Sequence, residues 1–197
     1  LGLFTGFGNG IYNAVYSLVL LEILRNSATV GIYVSIYSVF CMFVALFAKE
    51  LLRYFSKAKL FYFSMLMMAV GYFMMGFTIK PSTFIALDYT TGIAIVLVSV
   101  LIPLFMADFS KNIGMAKLNA RYHLWLNVGA LAAPTIAMFI AGHFGNRSAF
   151  FASSVVYFLG FLFLKYFKIV QEEKKARKQN PRKTIRATWK NTVSFFT

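Results

Sequence analysis

The chain reads as an all-α membrane protein, a bundle of six transmembrane helices, and three observations lead there. Apolar residues make up 59% of the sequence and charged residues 13%, with a mean hydropathy of +0.69, a balance that a soluble domain does not carry. The apolar residues gather in six runs of about 20 residues, long enough for a helix rising about 1.5 Å per residue to cross a bilayer. The charges are segregated, since ten of the twenty Lys and Arg residues lie from Lys165 onward. A net charge of +14 could suggest nucleic acid in a soluble chain. Among apolar spans it reads as loop and tail charge, so the expected partner is the lipid bilayer, with no nucleic acid. The single cysteine, Cys41, excludes an intrachain disulfide and reads as a small packing residue. The chain opens on Leu1 without a charged leader, and nothing in it resembles a cleavable signal peptide.

The first span is expected over 3–24. Gly2, Gly6, Gly10 and Ala14 recur at four-residue steps, a stripe poor in side chains against which another helix can pack closely. Thr5, Asn9, Asn13 and Tyr16 form a polar ridge beside it. Amides at mid-membrane depth are costly against lipid, so the ridge should face protein or a water-filled cavity. Hydrogen bonding between helices, with no ligand, accounts for it about as well. Glu22 and Arg25 read as an interfacial ion pair. The second span, 30–52, follows a turn through Asn26 and Ser27, and a short basic loop follows it. The third, 60–79, is rich in Phe and Met and has few polar residues after Ser64, which predicts a lipid-facing helix. Lys80, Pro81 and Ser82 predict a tight turn. The fourth, 83–106, carries Asp88, Tyr89, Thr90, Thr91 and Gly92 early and Pro103 late, where a kink is expected.

The fifth span, 122–144, has the strongest internal pattern. Gly129, Ala133, Ala137, Ala141 and Gly145 fall at every fourth position, with Pro134 in the middle. The stripe predicts close approach by another helix, and the proline leaves one carbonyl to be satisfied by a neighbour. Packing against something that moves and static packing in a bundle explain the stripe equally well. A sixth span is expected over 149–167. The organisation is thus a six-helix transmembrane unit over 1–167 and a basic linker over 168–190. At 191–197 the chain turns apolar again, as at the start of a seventh span, so that it reads as part of a longer protein.

Alternate loops differ sharply in charge. Lys49, Arg53, Lys57, Lys59, Lys111, Lys117, Arg121 and the ten basic residues from Lys165 to Lys190 fall on one side, and Arg25, Lys80 and Arg147 on the other. Basic residues stay on the cytoplasmic side. Both chain ends and the linker are therefore expected in the cytoplasm, and the protein in the cell (inner) membrane.

Six spans, a basic linker and a new apolar start resemble the amino-terminal half of a major facilitator superfamily transporter. Three stretches carry the resemblance. Gly129, Ala133-Pro134 and Ala137-Met138 are similar to a Gly-rich motif of the fifth helix, with Ala at two Gly positions and Met at the last. The loop after the second span keeps Ala48, Arg53 and Lys57 of a Gly-x-Leu-Ala-Asp-Arg-x-Gly-Arg type motif, with Leu52 in place of its Asp. In the fourth span Gly92 is present, and Asp88 stands where members of the family often place an Arg linked to proton transfer.

The resemblance implies two six-helix halves rocking about a central site, with the first and fourth helices lining the cavity and the second and fifth meeting the other half. By that mapping Asn9, Asn13, Tyr16, Asp88 and Thr91 are the cavity candidates. Gly129, Ala133, Pro134 and Ala137 are the interface on which rocking occurs, Asn127 faces either, and Arg53 and Lys57 form the cytoplasmic basic loop. Asp88 has two readings: an interfacial carboxylate snorkelling to water, which its early position in the span favours, or a buried acid that takes up a proton during the cycle. The function expected is secondary active transport of a small solute by alternating access, with proton coupling resting on Asp88 and the carboxy-terminal half of the same chain as partner. The alternative is a non-transporting sensor or assembly factor on the same scaffold.

An enzyme is not expected. His123 and His143 sit at opposite ends of the fifth span, too far apart to share a metal. Asp108 reads as a boundary residue beside Lys111, and no nucleophile elbow, metalloprotease motif or phosphate-binding loop occurs. No catalytic residue, cofactor or metal is therefore assigned.

Overall fold

A computed structural model describes residues 1–109 and 114–166. Among these residues there are six helices: α1 (Gly2–Leu24), α2 (Ser27–Tyr54), α3 (Lys57–Phe77), α4 (Pro81–Phe109), α5 (Met115–Phe144) and α6 (Ser148–Tyr166). Each is long and apolar enough to cross a membrane, and among the described residues there is no strand. Two compact units divide the chain, Leu1–Leu162 and Phe163–Thr197, and the bundle core lies in the first. The expected linker over 168–190 and the expected further span at 191–197 lie outside the described residues.

Local chemistry sets the helix ends. Asn26 caps α2 by accepting from the Ala28 amide at 2.9 Å, and Ser56 caps α3 by accepting from the Lys59 amide at 3.3 Å, each satisfying a donor that the first turn leaves open. Arg25 ends α1 in the left-handed region at φ 55°. The expected turn through Pro81 is instead the start of α4, for proline suits the first helical position, where its missing N–H costs nothing. α5 starts at Met115, before the apolar run, and carries Lys117 and Arg121 in its first turns.

α1 and α5 run in parallel, with their glycines against each other's backbone. A Cβ at Gly2 would lie 2.6 Å from the Tyr122 carbonyl oxygen, one at Gly6 would collide with the Leu126 carbonyl, and one at Gly10 would lie 2.5 Å from the Ala133 Cβ. From the other side, a Cβ at Gly129 would lie 2.7 Å from both the Leu3 oxygen and the Phe7 nitrogen. Without a strong hydrophobic force between helices in lipid, such close contact is what dispersion requires.

α6 runs antiparallel to α1 and α3, and its serines satisfy backbone oxygens in both. Ser153 donates to the Gly8 oxygen at 3.3 Å and Ser154 to the Ala69 oxygen at 2.6 Å. α3 lies antiparallel to α4, with the Thr91 methyl filling the space left by Gly71. The expectation that α3 faces lipid fails along one side. Phe61, Ser64, Met65, Met68, Tyr72 and Met75 are buried, while Phe63, Leu66, Val70, Phe73 and Phe77 are exposed. An apolar helix gives no sequence contrast between a face packed on protein and a face solvated by lipid.

The bundle is tied at both ends. At one, the Lys57 ammonium meets the Asp108 carboxylate at 2.8 Å, joining the start of α3 to the end of α4. At the other, Arg147 donates to the Thr78 oxygen at 2.6 Å and lies 3.7 Å from Glu22. Glu22 is thus paired across loops with Arg147, not with Arg25 along α1, whose backbone has left the helix.

Candidate functional site

The polar centre of the bundle is the Asp88 carboxylate, fully buried at 0% exposure. Three phenols from two other helices converge on it. Tyr12 of α1 donates to Oδ1 at 2.8 Å, and Oδ2 accepts from Tyr16 of α1 at 2.6 Å and from Tyr33 of α2 at 2.7 Å. Tyr12 and Tyr16 reach the same carboxylate because residues four apart share a helix face. Among the described residues the ion pairs are Arg53–Glu50, Lys57–Asp108 and Arg147–Glu22, so Asp88 has no cationic partner there. The titratable groups hydrogen-bonded to Asp88 are Tyr12, Tyr16 and Tyr33, and its charge in turn acts on Tyr37, Tyr72 and Cys41 nearby. Its charge is met by hydrogen-bond donors alone.

This burial overturns the snorkelling reading. The carboxylate points into the bundle, where α1 and α2 supply donors, instead of toward the nearby membrane surface. When this carboxylate is ionised, its three donors form charge-assisted hydrogen bonds, shorter and stronger than neutral ones.

Around this centre stands an aromatic wall. Tyr33 lies 6.4 Å from Tyr37 and 6.0 Å from Tyr89 between ring centroids, Tyr37 lies 5.7 Å from Tyr89, and Phe40 lies 4.8 Å from Tyr89. Gly92 permits it: a Cβ there would lie 2.6 Å from the Tyr37 hydroxyl. Deeper in the core the Tyr12 ring lies tilted 4.9 Å from Tyr72, and Tyr72 stacks 5.5 Å from Tyr157. The Tyr157 hydroxyl donates to Asn9 Oδ1 at 2.6 Å, while the buried Tyr72 hydroxyl has no partner among the described residues.

Of the residues singled out from sequence, Tyr16 and Asp88 come together directly. Asn13 is exposed on α1, and Asn9 is half-buried on its bond to Tyr157. Thr91 is fully buried, with its hydroxyl donating to the Asp88 backbone oxygen at 3.0 Å and its methyl on Gly71. Gly129, Ala133 and Ala137 are buried, and Gly129 and Ala133 lie against α1, so these residues pack within the bundle. Pro134 and Asn127 are exposed on the rest of α5. Arg53 pairs with Glu50 at 2.8 Å on the surface of α2, and Lys57 with Asp108. His123 and His143 are both exposed, and among the described residues no group of His, Cys, Asp and Glu could hold a metal.

Sequence reading missed the donor role of Tyr12 and Tyr33 and the wall of Tyr37, Phe40 and Tyr89. The spacing Tyr12–Tyr16 and Tyr33–Tyr37, each four apart, is a signal of two phenol-bearing faces, but it does not say that they meet at Asp88.

The whole chain, residues 1–197, matches the family profile of the Major Facilitator Superfamily. No curated protein matches it.

Proposed function

We infer that this chain, which belongs to the Major Facilitator Superfamily of transporters, moves a small solute across the membrane by alternating access and couples that movement to protons at Asp88. The observation that carries the coupling is a fully buried carboxylate held by three phenols, with no cationic partner among the described residues. Taking an anion out of water costs several kcal/mol unless it is paired, and uptake of one proton removes that cost. An ionisable group inside a membrane bundle is in general a functional one.

The cycle that follows is simple. With Asp88 ionised, the phenols of Tyr12 and Tyr16 and of Tyr33 tie α1 and α2 to α4. A proton arriving on Oδ1 or Oδ2 cancels the charge assistance of those bonds and loosens the tie, which biases the bundle toward its other conformation. In this reading a second six-helix half completes the cavity opposite α1 and α4. The asymmetry of Lys and Arg favours both chain ends on the cytoplasmic face of the cell membrane.

The test is transport by the protein reconstituted in proteoliposomes, with a solute found by screening. Asp88→Asn should abolish accumulation driven by a pH gradient, while solute exchange without a gradient should persist at saturating solute. Accumulation at the wild-type rate by Asp88→Asn would remove Asp88 from coupling.

A further inference from the structure

We propose that the solute is an organic cation, an ammonium-type group received between Tyr16, Tyr37, Phe40 and Tyr89 in front of Asp88. This names the substrate class of the site proposed above and rests on that reading of it. Three observations point the same way.

The first is charge. Asp88 supplies a negative centre with no cation among the described residues to balance it, so the vicinity of the site attracts cations and repels anions. The second is the wall. Tyr16, Tyr37, Phe40 and Tyr89 are half-buried, neither sealed in the core nor turned fully outward. Their neighbours meet at edge-on angles, with Tyr37–Tyr89 inclined by 62° and Phe40–Tyr89 by 80°. Rings set at steep angles to one another present faces in different directions, and none of the four is sealed in the core. That is how aromatic residues surround a quaternary ammonium, attracting it with the negative face of each ring.

The third is polarisation. A phenol that donates to a carboxylate becomes richer in electrons, and Tyr16 and Tyr33 both donate to Oδ2. The negative charge of Asp88 is thereby partly handed to rings nearer the space between α1, α2 and α4. A cation gains from it without displacing the three hydrogen bonds.

The chemistry selects against other solutes. A hydrated metal ion would need several hard oxygen ligands, and no such cluster occurs among the described residues. A sugar would need many fixed donors and acceptors, whereas the polar side chains gathered at Asp88 are phenols. A weakly hydrated organic cation needs only ring faces and one buried charge.

The test is equilibrium binding to the purified protein in nanodiscs of uncharged lipid, at one pH and without a gradient. The probes are tetraalkylammonium ions from methyl to butyl, with neopentyl alcohol as the neutral control. At least one ammonium ion should bind and the alcohol should not. Tyr89→Leu and Phe40→Leu should each weaken binding by about 3- to 30-fold, and Asp88→Asn by at least about 10-fold, with melting temperature confirming that each variant is folded. Tyr89→Phe, which keeps the ring, should restore most of the affinity. The proposal is overturned if none of the ammonium ions binds, if the alcohol binds as tightly, or if both Leu variants bind like wild type. Its failure is separable from that of proton coupling. Gradient-driven accumulation of an uncharged solute, lost in Asp88→Asn, would leave coupling in place and remove the cation. Ammonium binding with accumulation unaffected by Asp88→Asn would do the reverse.

Discussion

Gly6→Ala is the sharpest perturbation of the bundle, because it adds one methyl group where two backbones touch. A Cβ at Gly6 would collide with the Leu126 carbonyl oxygen, carbon and Cα of α5, all of them backbone atoms. A clash with a flexible side chain can relax by rotation, but this one can relax only by moving a helix. Overpacking of this kind costs about 1–3 kcal/mol, and a fixed backbone puts it at the upper end. Separating α1 from α5 would also open the contacts at Gly2, Gly10 and Gly129, each within 2.7 Å of the opposite helix for an added Cβ. A loss of about 3 kcal/mol is therefore expected, against a small gain for the control Gly142→Ala. Gly142 lies within α5 with nothing inside 4 Å of an added Cβ, and replacing a helical glycine by alanine gains roughly 0.5–1 kcal/mol. The assay is reversible unfolding of the purified protein in mixed micelles, followed by circular dichroism. Equal stability of the two variants would refute the close seam between α1 and α5. Ala133→Leu should behave like Gly6→Ala, losing stability as well as transport, because Ala133 is fully buried opposite Gly10.

Asp88→Ala would strand the phenols of Tyr12 and Tyr33, both buried, at about 1–3 kcal/mol each; unfolding should show it clearly less stable than Asp88→Asn. The amide oxygen of Asn can keep the Tyr16 and Tyr33 bonds while its NH2 donates to a Tyr12 hydroxyl that turns to accept. Tyr72→Phe removes a buried hydroxyl that has no partner among the described residues and should leave stability unchanged or raise it by about 1 kcal/mol; a loss in thermal unfolding would reveal a bridging group. Lys57→Met breaks the 2.8 Å contact to an Asp108 that is half exposed, so solvent screening limits the cost to about 1 kcal/mol or less. Its melting temperature should differ from wild type less at high salt than at low salt.

Patterns along the chain determined the spans, and geometry across helices decided the site. Six apolar runs of membrane length have one solution, since a backbone in lipid must satisfy its own polar groups and a helix does so locally. Helix number, approximate bounds and the small-residue stripes were therefore legible residue by residue. The partner of each stripe was not. Gly2, Gly6 and Gly10 and the Gly129–Ala133–Ala137 series each announce that a backbone comes close, but nothing in either stripe says that the other one answers it. The same limit applies to Asp88. Its position early in α4 suggests a carboxylate near the membrane surface, and only the approach of α1 and α2 turns it inward. Tyr12 and Tyr33 are separated from it by 76 and 55 residues, and no local pattern spans such distances. Helical periodicity tells which residues share a face; which faces meet is set by packing all six helices at once, and that only the tertiary structure decides.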